Sequence, residues 1–365
     1  MVHTAEITYF PDGKLIEEFR SLETSVWYAQ DHVWYNGSLK DQGLKFRLKF
    51  LHRRGYISVR LICRVNFSKL LHPDDKISMM TAWDVDTVED RFNNLINGLL
   101  PTLPPFECWS VNRIDYCVNV HTPYVEEYLR LMKKGDRFHM KDWYNRNNRN
   151  YSQQEGSLYL VSTAKKKNRG VTINFYDKYD EMVNSIDEIS KLSDDENEEM
   201  EFPKDILRLE VQCHKIKTEH LRKKYKMPRK TIKYFLDPYI THELISSYIK
   251  RIAGTADYQR RSVALDMIYQ TSCRQATKEK LKQIIMDVGR QHNSVAKVRE
   301  KRTGYSCYMK RDEFNRLIRT LQQHNINPVT IRDTSRLEGK TLKQGLPSIY
   351  SLFEEAFQDT VMKNA

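Results

Sequence analysis

The segment from Val111 to Val120, V-N-R-I-D-Y-C-V-N-V, constrains the fold more than any other stretch of the 365-residue chain. Alternate residues of a β-strand point to opposite faces of the sheet. One face of this segment is apolar, with Ile114, Tyr116, Val118 and Val120, and the other carries Arg113, Asp115, Cys117 and Asn119. The apolar face predicts packing on a core. The file of an arginine, an acid and an amide on the other face suggests a functional surface.

Two later segments, Val171 to Tyr176 and Ile206 to His214, divide in the same way. If the three segments are strands of one sheet whose apolar faces pack on helices, their polar faces must coincide. The surface formed in this way would collect Asp115, Asn119, Asn174, Tyr176, Lys178, Glu210, Gln212 and His214.

The order of the elements predicts the fold class. Between Val111 and His214 the patterns run strand, helix, strand, strand, helix, strand, which is typical of an α+β fold: an antiparallel sheet with helices on one face, of the ferredoxin-like or nickase type. We predict this domain over residues 1–215, with an acidic linker at 193–202. Residues 216–365 are predicted to be mostly helical. There the pattern from Lys310 to Asn325 suits a helix-turn-helix or winged-helix unit, and equally a helical domain without DNA contacts.

The charge balance favours a polyanionic partner. The chain has 60 Lys and Arg against 48 Asp and Glu, for a formal charge of +12. Nucleic acid is the first candidate, although a solvated basic surface without a partner is also compatible. No apolar run approaches the ~18 residues of a membrane span and no signal-peptide core is present, so we expect a cytoplasmic protein without a membrane partner. The six scattered cysteines argue against a structural zinc site or a disulfide framework.

The predicted polar surface carries the chemistry of phosphodiester cleavage. Asp115, Glu210 and the imidazole of His214 would form an oxygen-rich site for Mg²⁺ or Mn²⁺. Such an ion polarises a phosphodiester. Tyr176 is the candidate nucleophile, and Lys178 would hold a phosphate or lower the pKa of the tyrosine. Tyr179, Tyr159 and Tyr116 are rival tyrosines, of which Tyr116 should face the core.

Basic residues around this surface are the candidate DNA contacts. Arg113 and Arg208 stand in matching R-x-[DE] contexts, where they would position carboxylates or grip the DNA backbone. The basic turn adds Lys165, Lys166, Lys167 and Arg169. The alternation of Leu44 to Leu51 puts Lys45, Arg47 and Lys49 on one face, which could line a DNA groove or simply be solvated. When each strand is considered by itself, Arg113–Asp115 and Arg208–Glu210 are equally well explained as structural ion pairs on a half-exposed sheet.

The motifs together resemble one family. V-N-R-I-D-Y-C-V-N-V, then S-L-Y-L-V-S with its basic turn, I-N-F-Y-D-K-Y-D-E and L-R-L-E-V-Q are similar to the replication initiation factor family over about Leu44 to His214. That family includes initiators of rolling-circle plasmids, related proteins of conjugative transposons and phage-type replication proteins. The resemblance implies a DNA nicking-closing enzyme that forms a covalent tyrosyl–DNA link at a replication origin and leaves a free 3′-hydroxyl.

By the same resemblance, Asp115 and Glu210 match the metal carboxylates of the family, and Tyr176 lies in its tyrosine segment. The chain departs from the family at Thr172, where plasmid members often carry a further tyrosine, and it has no H-x-H pair. The expected partners are origin DNA, single-stranded and duplex, host replication proteins and a possible second copy of the chain. A conjugative relaxase acting at a transfer origin, or a non-catalytic DNA-binding regulator on the same scaffold, are the alternatives.

Overall fold

A computed structural model of the chain describes most of its residues. The described ranges are 1–22, 25–29, 32–35, 37–53, 56–73, 78–135, 143–145, 157–162, 170–190, 204–290, 294–304, 309–333, 336–337, 340–341 and 345–362. The predicted acidic linker at 193–202 and the basic turn with Lys165, Lys166, Lys167 and Arg169 lie outside them.

One antiparallel sheet organises the first part of the chain. Its strands are β1 (Val2–Tyr9), β2 (Ser25–Ala29), β3 (His32–Tyr35), β4 (Leu44–Arg53), β5 (Tyr56–Asn66), β6 (Ser110–His121), β7 (Trp143–Asn145), β8 (Ser157–Ser162), β9 (Val171–Asp177) and β10 (Ile206–Cys213). They lie in the order β2-β3-β4-β5-β1-β6-β10-β9-β8-β7. The helices between them are α1 (Gly13–Arg20), α2 (Phe67–Leu71), α3 (Val85–Leu99), α4 (Val125–Lys134) and α5 (Lys178–Ser190). The mixed helix-and-strand class and the antiparallel sheet are confirmed.

The predicted strand at Val111 is the central strand β6, which joins two halves of the sheet. On one side β1 separates β6 from β5, and on the other side β10 separates β6 from β9. The middle of the chain therefore has the strand order β6-β10-β9-β8, and the N-terminal part has the order β4-β5-β1-β6.

The apolar face of β6 packs on the core as its alternation predicts. Ile114, Tyr116 and Val118 have no exposed surface. The Tyr116 hydroxyl donates a hydrogen bond to the carbonyl of Phe235 at 3.0 Å, which confirms that this tyrosine points into the core. Just before β6, the indole of Trp109 is also fully buried, and its Nε1 donates to the Pro104 carbonyl at 2.9 Å.

The C-terminal region is mostly helical, as predicted. Its elements are α6 (Lys215–Lys224), α7 (Ile232–Phe235), α8 (Pro238–Ile252), α9 (Arg261–Gln270), α10 (Gln275–Val288), α11 (Val295–Thr303), α12 (Arg311–Gln323), the ribbon β11 (Arg336–Leu337) and β12 (Lys340–Thr341), and α13 (Ile349–Met362). The predicted helix near Lys310 is α12. One hydrophobic core continues from the sheet into α8 and beyond. No helix in the described ranges is both long and apolar enough to cross a membrane.

A turn before β4 requires glycine. Gly43 has φ +89°, and a Cβ at this position would lie 2.7 Å from the carbonyl oxygen of Asn66. Because both the left-handed conformation and the backbone contact oppose a side chain, we expect Gly43→Ala to destabilise the fold by about 2 kcal/mol. Gly98→Ala in α3 is the control, since a Cβ there meets nothing within 4 Å and alanine favours the helix. Chemical denaturation should give opposite signs for the two variants.

Candidate active site on the polar face of the sheet

The polar side chains of β6, β9 and β10 share one face of the sheet. Asp115 lies opposite Gln212 of β10, and Glu210 lies opposite Asn174 of β9. Arg208 lies between Asn119 and Tyr176 on the neighbouring strands. The predicted coincidence of the three polar faces is therefore confirmed by the strand register.

Asp115 is buried and held by an arginine of its own strand. Its side chain is 2% exposed. Arg113 donates from Nε to Oδ1 at 2.8 Å and from Nη2 to Oδ2 at 2.7 Å. Burial raises the pKa of Asp115, and the guanidinium of Arg113 opposes that rise. The bidentate pair fixes the direction of the carboxylate, which is the positioning role considered for Arg113.

Glu210 is the second buried carboxylate. Its Oε1 accepts a hydrogen bond from Gln212 Nε2 at 2.7 Å. Its Oε2 lies 3.5 Å from the Tyr176 hydroxyl and 3.8 Å from Nδ1 of His3. Burial raises the pKa of Glu210, and the negative charge of Asp115 raises it further. A buried carboxylate whose proton affinity is raised further by a neighbouring carboxylate favours an added positive charge.

Tyr176 lies between Glu210 and Arg208. Its side chain is almost fully buried, and it lies opposite Arg208 of β10 in the strand register. Burial raises the pKa of Tyr176 well above its ordinary value, Glu210 adds to the rise, and Arg208 opposes it. The phenol is therefore protonated at neutral pH in this arrangement. A cation that offsets the charge of Glu210 would lower the pKa of the phenol.

Arg208 is a buried member of this cluster. It is 1% exposed, and its Nε donates to Oδ1 of Asn119 at 2.8 Å. The predicted grip on a DNA backbone is therefore not available to Arg208 in this structure. Its guanidinium instead supplies positive charge next to Tyr176 and Glu210.

Lys178 and His214 have partners of their own. The Lys178 ammonium is buried and forms an ion pair with Glu181 one helical turn along α5. Burial lowers the pKa of Lys178, and the nearby Arg208 lowers it further. His214 follows β10, where its Nε2 lies 3.3 Å from the Thr172 hydroxyl. The candidate phosphate-holding lysine is thus engaged within the chain, and the candidate third metal ligand contacts a threonine.

The predicted metal ligands Asp115, Glu210 and His214 are not assembled as a three-residue group. Within the described ranges, no group of three or more His, Cys, Asp and Glu side chains is arranged to hold a metal ion. The structure does not bring His214 to Asp115 and Glu210 as a three-ligand set. The two carboxylates still suit a hard divalent cation, because Mg²⁺ often takes one or two carboxylates and completes its shell with waters and substrate phosphates.

Strand β1 contributes residues that the sequence patterns did not indicate. Thr4 lies opposite Asp115, and His3 lies next to Glu210. Burial lowers the pKa of His3 to about 3, with Arg208 and Lys178 acting in the same direction, so its contact with Glu210 is that of a neutral imidazole. Nothing in the local sequence of β1 indicates pairing with a strand more than one hundred residues away.

The rival tyrosines occupy different positions. Tyr116 points to the opposite face of the sheet, as described above. Tyr159 lies opposite Asn174, on the same side of the sheet as Tyr176, and is partly exposed. The ring of Tyr179, in the first turn of α5, lies 5.7 Å from the Lys204 ammonium.

Comparisons with known proteins add no family to these observations. No family model matches the chain, and neither a curated protein nor a solved structure shows significant similarity to it. Function is therefore inferred from the sequence motifs and from the geometry of this cluster.

The stability of a Glu210→Gln variant separates a functional cluster from a structural ion-pair network. Glutamine keeps the shape of the side chain and can still accept the hydrogen bond from Gln212, but it removes a buried charge. Since burial is the largest influence on the Glu210 carboxyl, we expect Glu210→Gln to stabilise the protein by on the order of 1 kcal/mol at pH 7. A structural ion-pair role predicts a loss instead.

The sign of the pH dependence follows from the raised pKa. Below the ordinary carboxyl pKa of about 4.3, Glu210 is protonated in both the folded and the unfolded state, so its burial as a charge does not reduce the free energy of unfolding. As the pH rises through the interval between the unfolded and folded pKa values, the unfolded state ionises first and the wild type loses stability. The advantage of Glu210→Gln should thus grow from pH 4 to neutrality. Urea denaturation at both pH values measures it.

Proposed function

We propose that the protein is a metal-dependent DNA nicking-closing enzyme that initiates rolling-circle replication. The observation that carries the proposal is the position of Tyr176, whose hydroxyl lies 3.5 Å from Glu210 Oε2 and which lies opposite Arg208 in the strand register. A nucleophile, a carboxylate that can accept its proton and a cation that favours the phenolate thus meet on one buried surface. The buried Asp115 nearby and the net charge of +12 support the same function.

The residues suggest a transesterification at a DNA phosphodiester. Tyr176 Oη attacks the scissile phosphorus and the bond from phosphorus to the 3′-oxygen breaks, so that the DNA 5′-phosphate becomes linked to the tyrosine. Glu210 is the nearest carboxylate to accept the phenolic proton, and Arg208 stabilises the negative oxygen. The leaving oxygen takes up a proton and becomes the free 3′-hydroxyl. Closing is the reverse reaction, with a 3′-hydroxyl attacking the phosphotyrosine.

A divalent ion belongs to this proposal. Asp115 and Glu210 are the residues that would hold Mg²⁺ or Mn²⁺, and when bound such an ion polarises the phosphodiester and offsets its charge. Arg113 would have to yield one oxygen of Asp115, because it engages both in this structure.

The nickase-type scaffold is part of the same proposal. In a ferredoxin-like unit the first and third strands are neighbours. The order β4-β5-β1-β6, in which β1 and β5 are the first and third strands, fits this arrangement. The middle unit that the sequence suggested has the order β6-β10-β9-β8, where β10 separates the first strand from the third, so this unit does not fit.

A non-catalytic DNA-binding regulator is the second candidate. Two observations favour it. Arg113 donates to both carboxylate oxygens of Asp115, and the pKa of Tyr176 is raised well above its ordinary value. Both suit a structural network. A relaxase would use the same residues at a transfer origin, and the neighbouring genes would separate transfer from replication. Host replication proteins, a homodimer and a cytoplasmic location remain predictions.

The two candidates differ in one assay. Supercoiled plasmid carrying the gene and its flanking DNA is incubated with the protein in Mn²⁺, in Mg²⁺ and in EDTA. The enzyme should yield nicked circles and a protein–DNA adduct that resists denaturant, in the metal samples only. Bound but uncut DNA with either metal would favour the regulator.

A further inference from the structure

A second polar feature lies on the same face of the sheet, next to the candidate active site. It is a pocket of about 290 Å³ lined by His3, Thr4, Lys40, Gly43, Lys45, Arg64, Asn66 and Lys69. Four of these eight residues are cationic, and none is acidic. A pocket of this size has room for a phosphate group together with ordered water.

The four cations of this pocket are not neutralised by the rest of the described chain. Lys40, Lys45, Arg64 and Lys69 form no ion pair with a described carboxylate. Burial lowers the pKa of Lys45. The positive charges of Lys40, Arg64 and Lys69 lower it further, and Asp41 acts in the opposite direction. Side chains that repel one another at one place are stabilised by an anion between them.

The pocket shares a wall with the candidate active site. Thr4 lines the pocket and lies opposite Asp115 in the strand register. His3 lines the pocket, and its Nδ1 is 3.8 Å from Glu210 Oε2. Arg64 lines the pocket and lowers the pKa of Asp115, so its charge is felt at that carboxylate. One layer of side chains therefore separates an anion in the pocket from the buried carboxylates.

The strands that carry the pocket extend the basic surface. Lys45 alternates with Arg47 and Lys49 along β4, and the guanidinium of Arg47 lies 4.9 Å from the ring of Trp34 on β3. Proteins that bind single-stranded DNA use cationic side chains to contact phosphates and aromatic rings to stack on bases. A strand lying across this face would pass from the basic half of the sheet over the pocket to Tyr176.

We propose that the pocket of Lys40, Lys45, Arg64 and Lys69 binds a phosphate group, and specifically a backbone phosphate of single-stranded DNA beside the scissile one. The assignment to DNA rests on the proposed function, whereas binding of a phosphate as such does not. The pocket would fix the register of the strand, so that the next phosphate along the backbone lies at the buried carboxylates.

The test uses the full chain in EDTA, where no cleavage is expected. Lys45→Met/Lys69→Met removes two pocket cations. Lys14→Met/Arg20→Met removes two cations from α1, which packs on the opposite, apolar face of the sheet through Leu15 and Phe19. Binding of a fluorescent single-stranded oligonucleotide is followed by anisotropy between about 50 and 200 mM salt. Thermal unfolding with and without inorganic pyrophosphate reports on free phosphate.

We expect the pocket variant to bind the oligonucleotide about 10-fold more weakly at low salt. Its salt slope should be smaller by about 0.7, since the one DNA phosphate that the pocket would hold is no longer neutralised. The α1 variant should differ from wild type by less than about 2-fold, because its substitutions lie off this face. The pocket variant should also show no stabilisation by pyrophosphate.

Two results would overturn the proposal. Equal affinity and equal slopes for the two double variants would mean that the pocket makes no phosphate contact with DNA. A loss of pyrophosphate stabilisation with unchanged DNA binding would assign the pocket to a free phosphate compound instead. Neither result bears on the nicking assay, so the pocket and the nickase stand or fall separately.

Discussion

Tyr176→Phe is expected to abolish the covalent protein–DNA adduct. The substitution removes only the hydroxyl that lies between Glu210 and Arg208, and phenylalanine fits the same buried space. Because the proposal assigns the phosphotyrosine to this hydroxyl, adduct formation should fall by at least about 10³-fold. Denaturing gels of labelled DNA with Mn²⁺ measure the adduct directly.

Tyr159→Phe is the matched control for this substitution. Tyr159 lies on the adjacent strand β8, on the same face and with greater exposure, so among the rival tyrosines Tyr116, Tyr159 and Tyr179 it is the one best placed to replace Tyr176. The control should keep the adduct at the wild-type level. Loss of the adduct in Tyr159→Phe together with its survival in Tyr176→Phe would reverse the assignment of the nucleophile.

Asp115→Asn is expected to remove cleavage while leaving DNA binding largely intact. Asparagine keeps the shape of the side chain and one acceptor for Arg113, but it removes the charge that would hold a divalent ion. Loss of a metal carboxylate should reduce nicking by about 10³-fold and should make the residual activity insensitive to Mn²⁺ concentration. Affinity for single-stranded DNA in EDTA should change by less than about 2-fold, because Asp115 is buried and its charge is paired with Arg113.

Glu127→Gln provides a control with the same type of contact. Glu127 is a buried acid in α4 that pairs with Arg130 of its own element, as Asp115 pairs with Arg113. Its loss should cost stability and leave nicking unchanged. If Asp115→Asn behaves like Glu127→Gln, with lower stability and full activity, then Asp115 is a structural ion-pair partner.

The alternation of polar and apolar residues predicted which side chains share the polar face, but not how deeply each one is buried. A period of two assigns residues to faces, and the faces of β6, β9 and β10 coincide as the pattern required. Arg208 illustrates what the period cannot give. Its place on the polar face suggested a contact with DNA, yet it is 1% exposed because neighbouring strands and their side chains enclose it.

The position of β1 could not be predicted from local patterns. This strand inserts between β5 and β6 and supplies His3 and Thr4 to the polar face. Its pairing with β6 joins residues more than one hundred positions apart, and such pairings depend on packing of the whole sheet rather than on local preference. The pocket beside the candidate site therefore had no signal in the sequence, although the basic alternation of β4 indicated one of its walls.

The most direct test of the central claim identifies the residue that carries the DNA. After incubation with Mn²⁺ and the plasmid, the adduct is digested with nuclease and trypsin and analysed by mass spectrometry. Trypsin releases residues 170–178, G-V-T-I-N-F-Y-D-K, in which Tyr176 is the single tyrosine. The proposal predicts a nucleotide remnant on this peptide. A remnant on another peptide would exclude Tyr176 as the nucleophile, and the absence of any adduct with either metal would contradict the assignment as a nicking enzyme.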